Sequence, residues 1–141
     1  MKLTTYVNFP GNCRQALQFY EKQLGGKTVM LSTYEHMPEP RTIPPGLEMG
    51  SVLHARIVIG DTILMASDGP PERVQPMRSA YLSLTVDSNE EAERIYAALT
   101  DGGEVFMPIA ETFFAHRFAM FRDKFGANWM LVHERPMPRN A

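Results

Sequence analysis

Apolar and polar residues follow the same order twice along the chain. Residues 3–9 and 79–86 show the two-residue period of strands, and the segment after each shows the three-to-four-residue spacing of an amphipathic helix. The first helix is predicted to begin at Asn12 and the second at Ser88, each with a Gln or Glu three positions later that could complete a capping box. Each helix is predicted to end at a Gly-Gly pair, because glycine readily adopts the left-handed conformation that ends helices. A repeat of this length predicts two copies of one structural unit.

The copies align through their caps and stops. The two caps lie 76 residues apart, and the two stops, Gly25-Gly26 and Gly102-Gly103, lie 77 apart. Three further strands are predicted after each helix, near 27–33, 52–59 and 62–67 in the first copy and near 104–109, 115–122 and 128–134 in the second. Each copy is therefore strand, helix, strand, strand, strand (βαβββ), which predicts an α+β fold.

Two segments interrupt the repeat. Residues 36–50 are rich in proline and cannot form regular structure, so they are predicted to be a loop that serves as a lid, a dimer contact or plain surface. Residues 68–78 are predicted to link a first module, 1–67, to a second module, 79–141, within one domain.

Composition excludes several functional classes. A net charge of −2 over 141 residues gives no electrostatic reason to expect nucleic acid as a partner. No apolar run is long enough for a membrane span or a signal peptide, so we expect a cytoplasmic protein that does not engage membranes. The single cysteine, Cys13, lies on the apolar stripe of the first helix, which favours a buried thiol over a nucleophile.

Specific residues within this frame resemble a known superfamily. In element order the chain is similar to the vicinal oxygen chelate superfamily, which includes glyoxalase I, bleomycin-resistance proteins, fosfomycin-resistance enzymes and extradiol dioxygenases. Within it the chain resembles the PhnB-like branch, whose members are often labelled demethylubiquinone methyltransferase-like. The residues that carry the resemblance are Phe19-Tyr20, Leu24-Gly25, Asn12-Cys13, the stretch 65–68, the stretch 111–116, the stretch 123–126 and Trp129-Met130.

The resemblance implies a fold and the place of a metal site. Each module would curl its mixed sheet into half of an open barrel, with a divalent metal held on the concave side by residues of the first and last strands. Aligned on the resemblance, those positions hold Thr5, Met65, Tyr81 and Met130. Hydroxyl and thioether groups are poor ligands for hard or borderline divalent ions, which prefer imidazole, thiolate or carboxylate. We therefore expect no usual metal and no cofactor.

The expected function is binding of a small organic molecule in the concave groove. An apolar groove with a few hydroxyl groups suits such a ligand. The resemblance also implies a homodimer, since members of the superfamily commonly pair modules across subunits. The residues expected to line the groove are Thr5, Val7, Met65, Ser67, Tyr81, Ser83, Asn128 and Met130.

The alternative is an enzyme, a lyase, dioxygenase or transferase, that uses a non-standard metal site or an acid–base residue. The candidate catalytic residues are Glu111 and His116; a carboxylate buried among aromatic rings would have a raised pKa and could act as an acid or base. His54 is expected to be solvated or to face the groove, with a catalytic role as the alternative. His133 and His36 are expected at the surface. No methyl-donor site is predicted, because the element order does not give a parallel α/β sheet. Whether the chain is an enzyme stays open.

Overall fold

The structure, a computed structural model, describes residues 1–136. It divides into two compact units, Met1–Gln75 and Pro76–Ala141, and the end of the second predicted module, 137–141, lies outside the described residues. Each unit holds one βαβββ module, which confirms the predicted α+β fold. No helix within residues 1–136 has the length and apolar character that crossing a bilayer requires.

Unit 1 is one helix on a four-stranded sheet. The strand order is β1-β4-β3-β2, with β1 parallel to β4 and the other neighbours antiparallel. The elements are β1 (Thr5–Phe9), α1 (Cys13–Leu24), β2 (Lys27–Thr33), β3 (Val52–Ile59) and β4 (Thr62–Asp68).

Unit 2 repeats this arrangement. Its strand order is β5-β8-β7-β6, again with one parallel pair, β5 and β8. The elements are β5 (Leu82–Thr85), α2 (Asn89–Thr100), β6 (Glu104–Ala110), β7 (Ala115–Arg122) and β8 (Asn128–Glu134). The predicted bounds of β2, β3, β7 and β8 are confirmed to the residue, whereas β5 is shorter than predicted.

Each helix buries its apolar stripe against one face of its own sheet. In unit 1 the ring of Phe9 on β1 lies 6.4 Å from that of Tyr20 on α1, and in unit 2 the ring of Tyr96 on α2 meets Phe121 edge-on at 5.9 Å. Because successive side chains of a strand point to opposite faces, every second residue lies on the face turned away from the helix. We call this the distal face of each sheet.

The two helices begin differently. Ser88 caps α2 as predicted, because its hydroxyl accepts a hydrogen bond from the Glu91 N–H at 3.1 Å. The capping box predicted at Asn12 is wrong, since the Asn12 side chain makes no capping bond. The cap of α1 comes instead from Asp68 at the end of β4, whose Oδ1 accepts from the Cys13 N–H at 2.8 Å. The long-range acceptor makes the local one unnecessary.

The two glycines of each pair meet different constraints. Gly25 and Gly102 have φ of +66° and +76°, the left-handed conformation that the pattern predicts. Gly26 and Gly103 have no positive φ but lie in close packing: a Cβ at Gly26 would press on the Ile57 side chain, and one at Gly103 would overlap the carbonyl oxygen of Arg122. The pairs thus end the helices and let the next strand approach its neighbour.

Segment 36–50 contains no strand and no α-helix, as predicted. Arg41 braces it, with Nε donating to the carbonyl of Met37 at 3.0 Å and the guanidinium paired with Glu39. A role as lid or dimer contact stays a prediction. Asp68, where the predicted linker starts, is the last residue of β4.

We expect Gly103→Ala to lower the free energy of unfolding by about 1–3 kcal/mol, the range for overpacking against a site that cannot yield. The obstructing atom is backbone, so no side-chain rotation relieves the overlap. Gly50→Ala is the matched control, since nothing lies within 4 Å of a Cβ there. Urea unfolding measures both variants; equal stability of the two would contradict the packing role of Gly103.

We expect Asp68→Ala to lower the free energy of unfolding by about 2–5 kcal/mol, because it leaves two buried N–H groups without an acceptor. Those groups belong to Cys13 and Val52, each 2.8 Å from a different carboxylate oxygen of Asp68. The control Asp61→Asn alters an exposed turn carboxylate and should leave the stability within about 0.5 kcal/mol of the wild type. A loss below 1 kcal/mol in Asp68→Ala, by the same unfolding assay, would be inconsistent with the capping role.

Candidate functional site

The distal face of unit 1 carries a cation between two thioethers. Strand pairing places Tyr6 beside Met65, Met65 beside Arg56, and Arg56 beside Met30, so these four residues form a row across β1, β4, β3 and β2. Arg56 is exposed, and its side chain makes no hydrogen bond or ion pair with any residue in 1–136. Its guanidinium is therefore available to a ligand.

Polar side chains border this row. The hydroxyl of Tyr6 lies 3.0 Å from Nδ1 of His54, and the two rings stack with centroids 5.5 Å apart. Next to them the buried Ser67 donates to Oδ1 of Asn8 at 2.8 Å. The distal face of unit 1 thus combines a cation, an aromatic pair and amide and hydroxyl groups.

The expected groove contacts on β1 are displaced by one residue. Thr5 and Val7 were expected to line the groove, but they share the helix side of the strand with Phe9, whose ring contacts α1. Tyr6 and Asn8 occupy the distal face instead. Met65 and Ser67 of β4 lie on the distal face.

The distal face of unit 2 is apolar at its centre. Met130 pairs with both Ser83 and Met120, and Met120 pairs with Met107, so a row of three methionines spans β8, β7 and β6. Phe118, two residues before Met120 on β7, continues the apolar surface towards Phe114, with ring centroids 5.1 Å apart. Met107 is 46% exposed, so the row is accessible from the β6 side.

One end of this face is filled by the protein's own side chains. Tyr81 meets Phe106 edge-on at 6.4 Å, and the Arg122 guanidinium lies 5.2 Å from the Phe106 ring centroid. Asn128 is fully buried: its Oδ1 accepts from Arg122 at 3.1 Å and its Nδ2 donates to the carbonyl of Arg78 at 3.1 Å. The Asn128 amide therefore holds segment 77–78 against the sheet.

The two catalytic candidates lie apart from the methionine row. Glu111 is exposed and its carboxylate is paired with Arg135, rather than enclosed by aromatic rings. The His116 ring lies 4.8 Å from the ring of His133, whose Nδ1 is hydrogen-bonded to Asn89 of α2 at 2.9 Å. His133 is therefore half-buried at the helix side rather than free at the surface. His36 is exposed, and its Nδ1 accepts from the Thr33 N–H.

The residues at the implied metal positions do not fit a divalent metal. In register, the first and last strands of the units present the pairs Tyr6–Met65, Asn8–Ser67, Ser83–Met130 and Thr85–Val132 on their distal faces. None of these side chains is an imidazole, thiolate or carboxylate, the donors that zinc and similar ions select. No group of three or more His, Cys, Asp or Glu side chains within residues 1–136 is arranged to hold an ion.

Comparison with known proteins assigns the fold. FosX, a fosfomycin resistance protein from Listeria monocytogenes, is 13% identical with a TM-score of 0.66, covering 96% of this chain and 94% of that one. At that identity the likeness concerns the fold alone. It is the glyoxalase/bleomycin-resistance fold of the vicinal oxygen chelate superfamily.

Nearer relatives assign the family. The family model described as 3-demethylubiquinone-9 3-methyltransferase matches residues 1–132. Protein YjdN of Escherichia coli K12 is 30% identical over 98% of this chain and 99% of its own. The crystal structure of PA1353 from Pseudomonas aeruginosa is 39% identical with a TM-score of 0.82, covering 95% of this chain and 98% of that one. The PhnB protein of Bacillus cereus is 26% identical with a TM-score of 0.77, covering 94% and 99%. The chain belongs to this PhnB-like family, as the resemblance predicted.

Cys13 is inert in the folded state. It is fully buried at the start of α1, and burial, with a further contribution from the Asp68 carboxylate, raises the pKa of its thiol to about 12. The burial confirms the expectation of a buried thiol. Because the thiolate is the reactive form, the raised pKa disfavours a role as a nucleophile.

We expect Ellman's reagent at pH 8 to label native Cys13 at least about 10³-fold more slowly than the unfolded chain, whose thiol has an ordinary pKa. The raised pKa also means that the native state keeps its proton where the unfolded state loses it. Stability should therefore fall as the pH rises from about 9 towards 12. Labelling of the native protein at the rate of the guanidinium-unfolded control would contradict the burial.

Proposed function

We propose that the protein binds a small organic molecule, that the distal face of unit 2 contacts its apolar part, and that no divalent metal takes part. The observation that carries the proposal is the row Met130, Met120 and Met107. Thioethers are polarizable and flexible, make favourable contacts with aromatic rings, and adapt to ligands of different shape. Ser83 adds a hydroxyl at one end of the row that can orient a polar substituent.

The closed end of the face supports this proposal. Phe106 contacts both the Tyr81 ring and the Arg122 guanidinium, and Arg122 donates to Asn128, so this end of the face is ordered by the protein's own contacts. A surface that is already ordered avoids the ordering cost that a flexible surface would incur on binding. In the proposal Tyr81 contacts the ligand edge and Asn128 supports Arg122, while Met65 and Ser67 lie on the distal face of unit 1.

Binding is favoured over acid–base catalysis. The carboxylate of Glu111 is occupied by Arg135, and the His116 ring lies 4.8 Å from the ring of His133, which is itself hydrogen-bonded to Asn89 of α2. The family description names a methyltransferase acting on a demethylubiquinone, a ring compound of the class that a thioether surface accommodates. Methyl transfer would require a methyl-donor site in addition, so the proposal is restricted to binding. The proposal includes a homodimer and a cytoplasmic location.

We expect the neutral fluorescent probe N-phenyl-1-naphthylamine to bind with a Kd on the order of 10 μM, and Met120→Lys to weaken binding about tenfold or more. An ammonium in the centre of the row would have to lose water beside an apolar ligand, which is costly. Fluorescence titration measures the Kd. The matched control is Met49→Lys, which introduces the same charge at an exposed methionine outside the sheets and should leave the Kd unchanged.

The same titration after chelation tests the metal-free part of the proposal. Probe affinity should be unaffected by removal of metals, and the melting temperature should not rise with added Ni²⁺, Zn²⁺, Mn²⁺ or Fe²⁺, since an ion bound to the native state would stabilise it. Stoichiometric metal in protein purified without chelator would contradict this part.

Equal weakening of probe binding in Met120→Lys and Met49→Lys would contradict the assignment of the site to unit 2.

A further inference from the structure

We infer that the distal face of unit 1 is a binding site for the oxyanion group of a small molecule, a carboxylate or a phosphate, with Arg56 as its anchor. This site uses none of the residues tested above for the methionine row. It can therefore succeed or fail independently of the proposed apolar site.

The first argument is the state of Arg56. The guanidinium is exposed, and within residues 1–136 it has neither a hydrogen-bond acceptor nor a carboxylate partner. Its neighbours across the sheet are Met65 and Met30, whose thioethers cannot neutralise its charge. Most other arginines of the described chain do have partners: Arg41, Arg94, Arg117, Arg122 and Arg135 all pair with a glutamate. A planar guanidinium left free on a sheet face matches the two oxygens of a carboxylate or phosphate.

The second argument is the charge of the surrounding face. Lys27 pairs with Val58, two residues from Arg56 on β3, so its side chain belongs to the same face. No carboxylate stands at a strand-paired position of this face in the described part of the chain. The local field therefore favours an anion although the whole chain has a net charge of −2.

The third argument is the supply of neutral donors. The Tyr6–His54 hydrogen bond leaves one N–H or O–H group free to donate, whichever residue is the donor within the pair. If the Tyr6 hydroxyl donates to Nδ1, the neutral imidazole carries its proton on Nε2. If Nδ1 donates to Tyr6, the Tyr6 hydroxyl proton remains available. Ser67 donates to Oδ1 of Asn8, which leaves the Asn8 amide N–H groups for other acceptors. The face thus presents neutral donors on the same side of the sheet as Arg56, and the Tyr6 ring and two thioethers supply an apolar contact for the organic part of the ligand.

Three probes of the same size test the site. Benzoate and phenyl phosphate carry the two oxyanions, and benzamide is the neutral analogue. We expect the wild type to bind at least one oxyanion probe with a Kd below about 10 mM by isothermal titration calorimetry, at least tenfold tighter than benzamide. The tighter of the two oxyanions identifies the ligand class. No binding of either oxyanion at that concentration, or benzamide binding as tightly, overturns the inference.

Variants locate the site. Arg56→Gln should weaken oxyanion binding about tenfold or more and leave benzamide unchanged, and Arg56→Lys should retain part of the affinity because it keeps the charge but loses the bidentate geometry. Arg73→Gln is the matched control, an exposed arginine with no side-chain partner in residues 1–136 and the same change of charge. Unchanged affinity in Arg56→Gln, or an equal loss in Arg73→Gln, overturns the assignment. Arg56 is an exposed side chain, so a melting temperature near the wild-type value will confirm that the variant is folded.

Discussion

The carboxylate of Asp68 is the interaction on which the architecture of unit 1 depends. The first N–H groups of a helix have no partner within the helix, and Asn12 leaves them uncapped. Asp68 supplies the missing acceptor from the end of β4 and, with its other oxygen, holds the first N–H of β3. Because one buried carboxylate satisfies both, the start of α1 is fixed relative to the sheet, and the strands that carry Tyr6, Arg56 and Met65 are fixed with it.

Unit 2 uses the same chemistry in a different place. Asp123 is buried after β7 and accepts hydrogen bonds from the N–H groups of Phe125 and Ala127 and from the indole of Trp129. Here Ser88 caps the helix locally, so the buried carboxylate organises the β7–β8 turn instead. The duplicated sequence preserved the strand order but not the positions of the buried charges that stabilise it.

The sequence predicted the elements well because their signals are local. Strand periods, the Ser88 cap and the Gly-Gly stops depend on neighbouring residues, and they fixed most bounds.

The site was predicted less well because it depends on register. The two helix caps lie 76 residues apart, and that spacing aligns Thr5 with Tyr81. In the sheets, however, Tyr6 pairs with Met65 and Ser83 pairs with Met130, so Tyr6 and Ser83 are the equivalent residues, and they lie 77 apart. One extra residue between β1 and α1 of unit 1 accounts for the difference, because Tyr6 lies six residues before Asn12 whereas Ser83 lies five before Ser88. A one-residue shift moves a side chain to the other face of a strand, so Thr5 replaced Tyr6 in the expected groove.

The corrected register changes what the two copies have in common. Equivalent distal positions hold Tyr6 and Ser83 on the first strands, and Arg56 and Met120 on the third strands, each of which faces a methionine of the last strand. Met65 and Met130 are therefore the shared element of the two faces. A thioether is uncharged and adapts to many neighbours, so it can lie beside a guanidinium in one copy and beside another thioether in the other. Because this neutral centre is kept while the adjacent strand changes from a cation to a thioether, one repeated fold carries two chemically different distal faces.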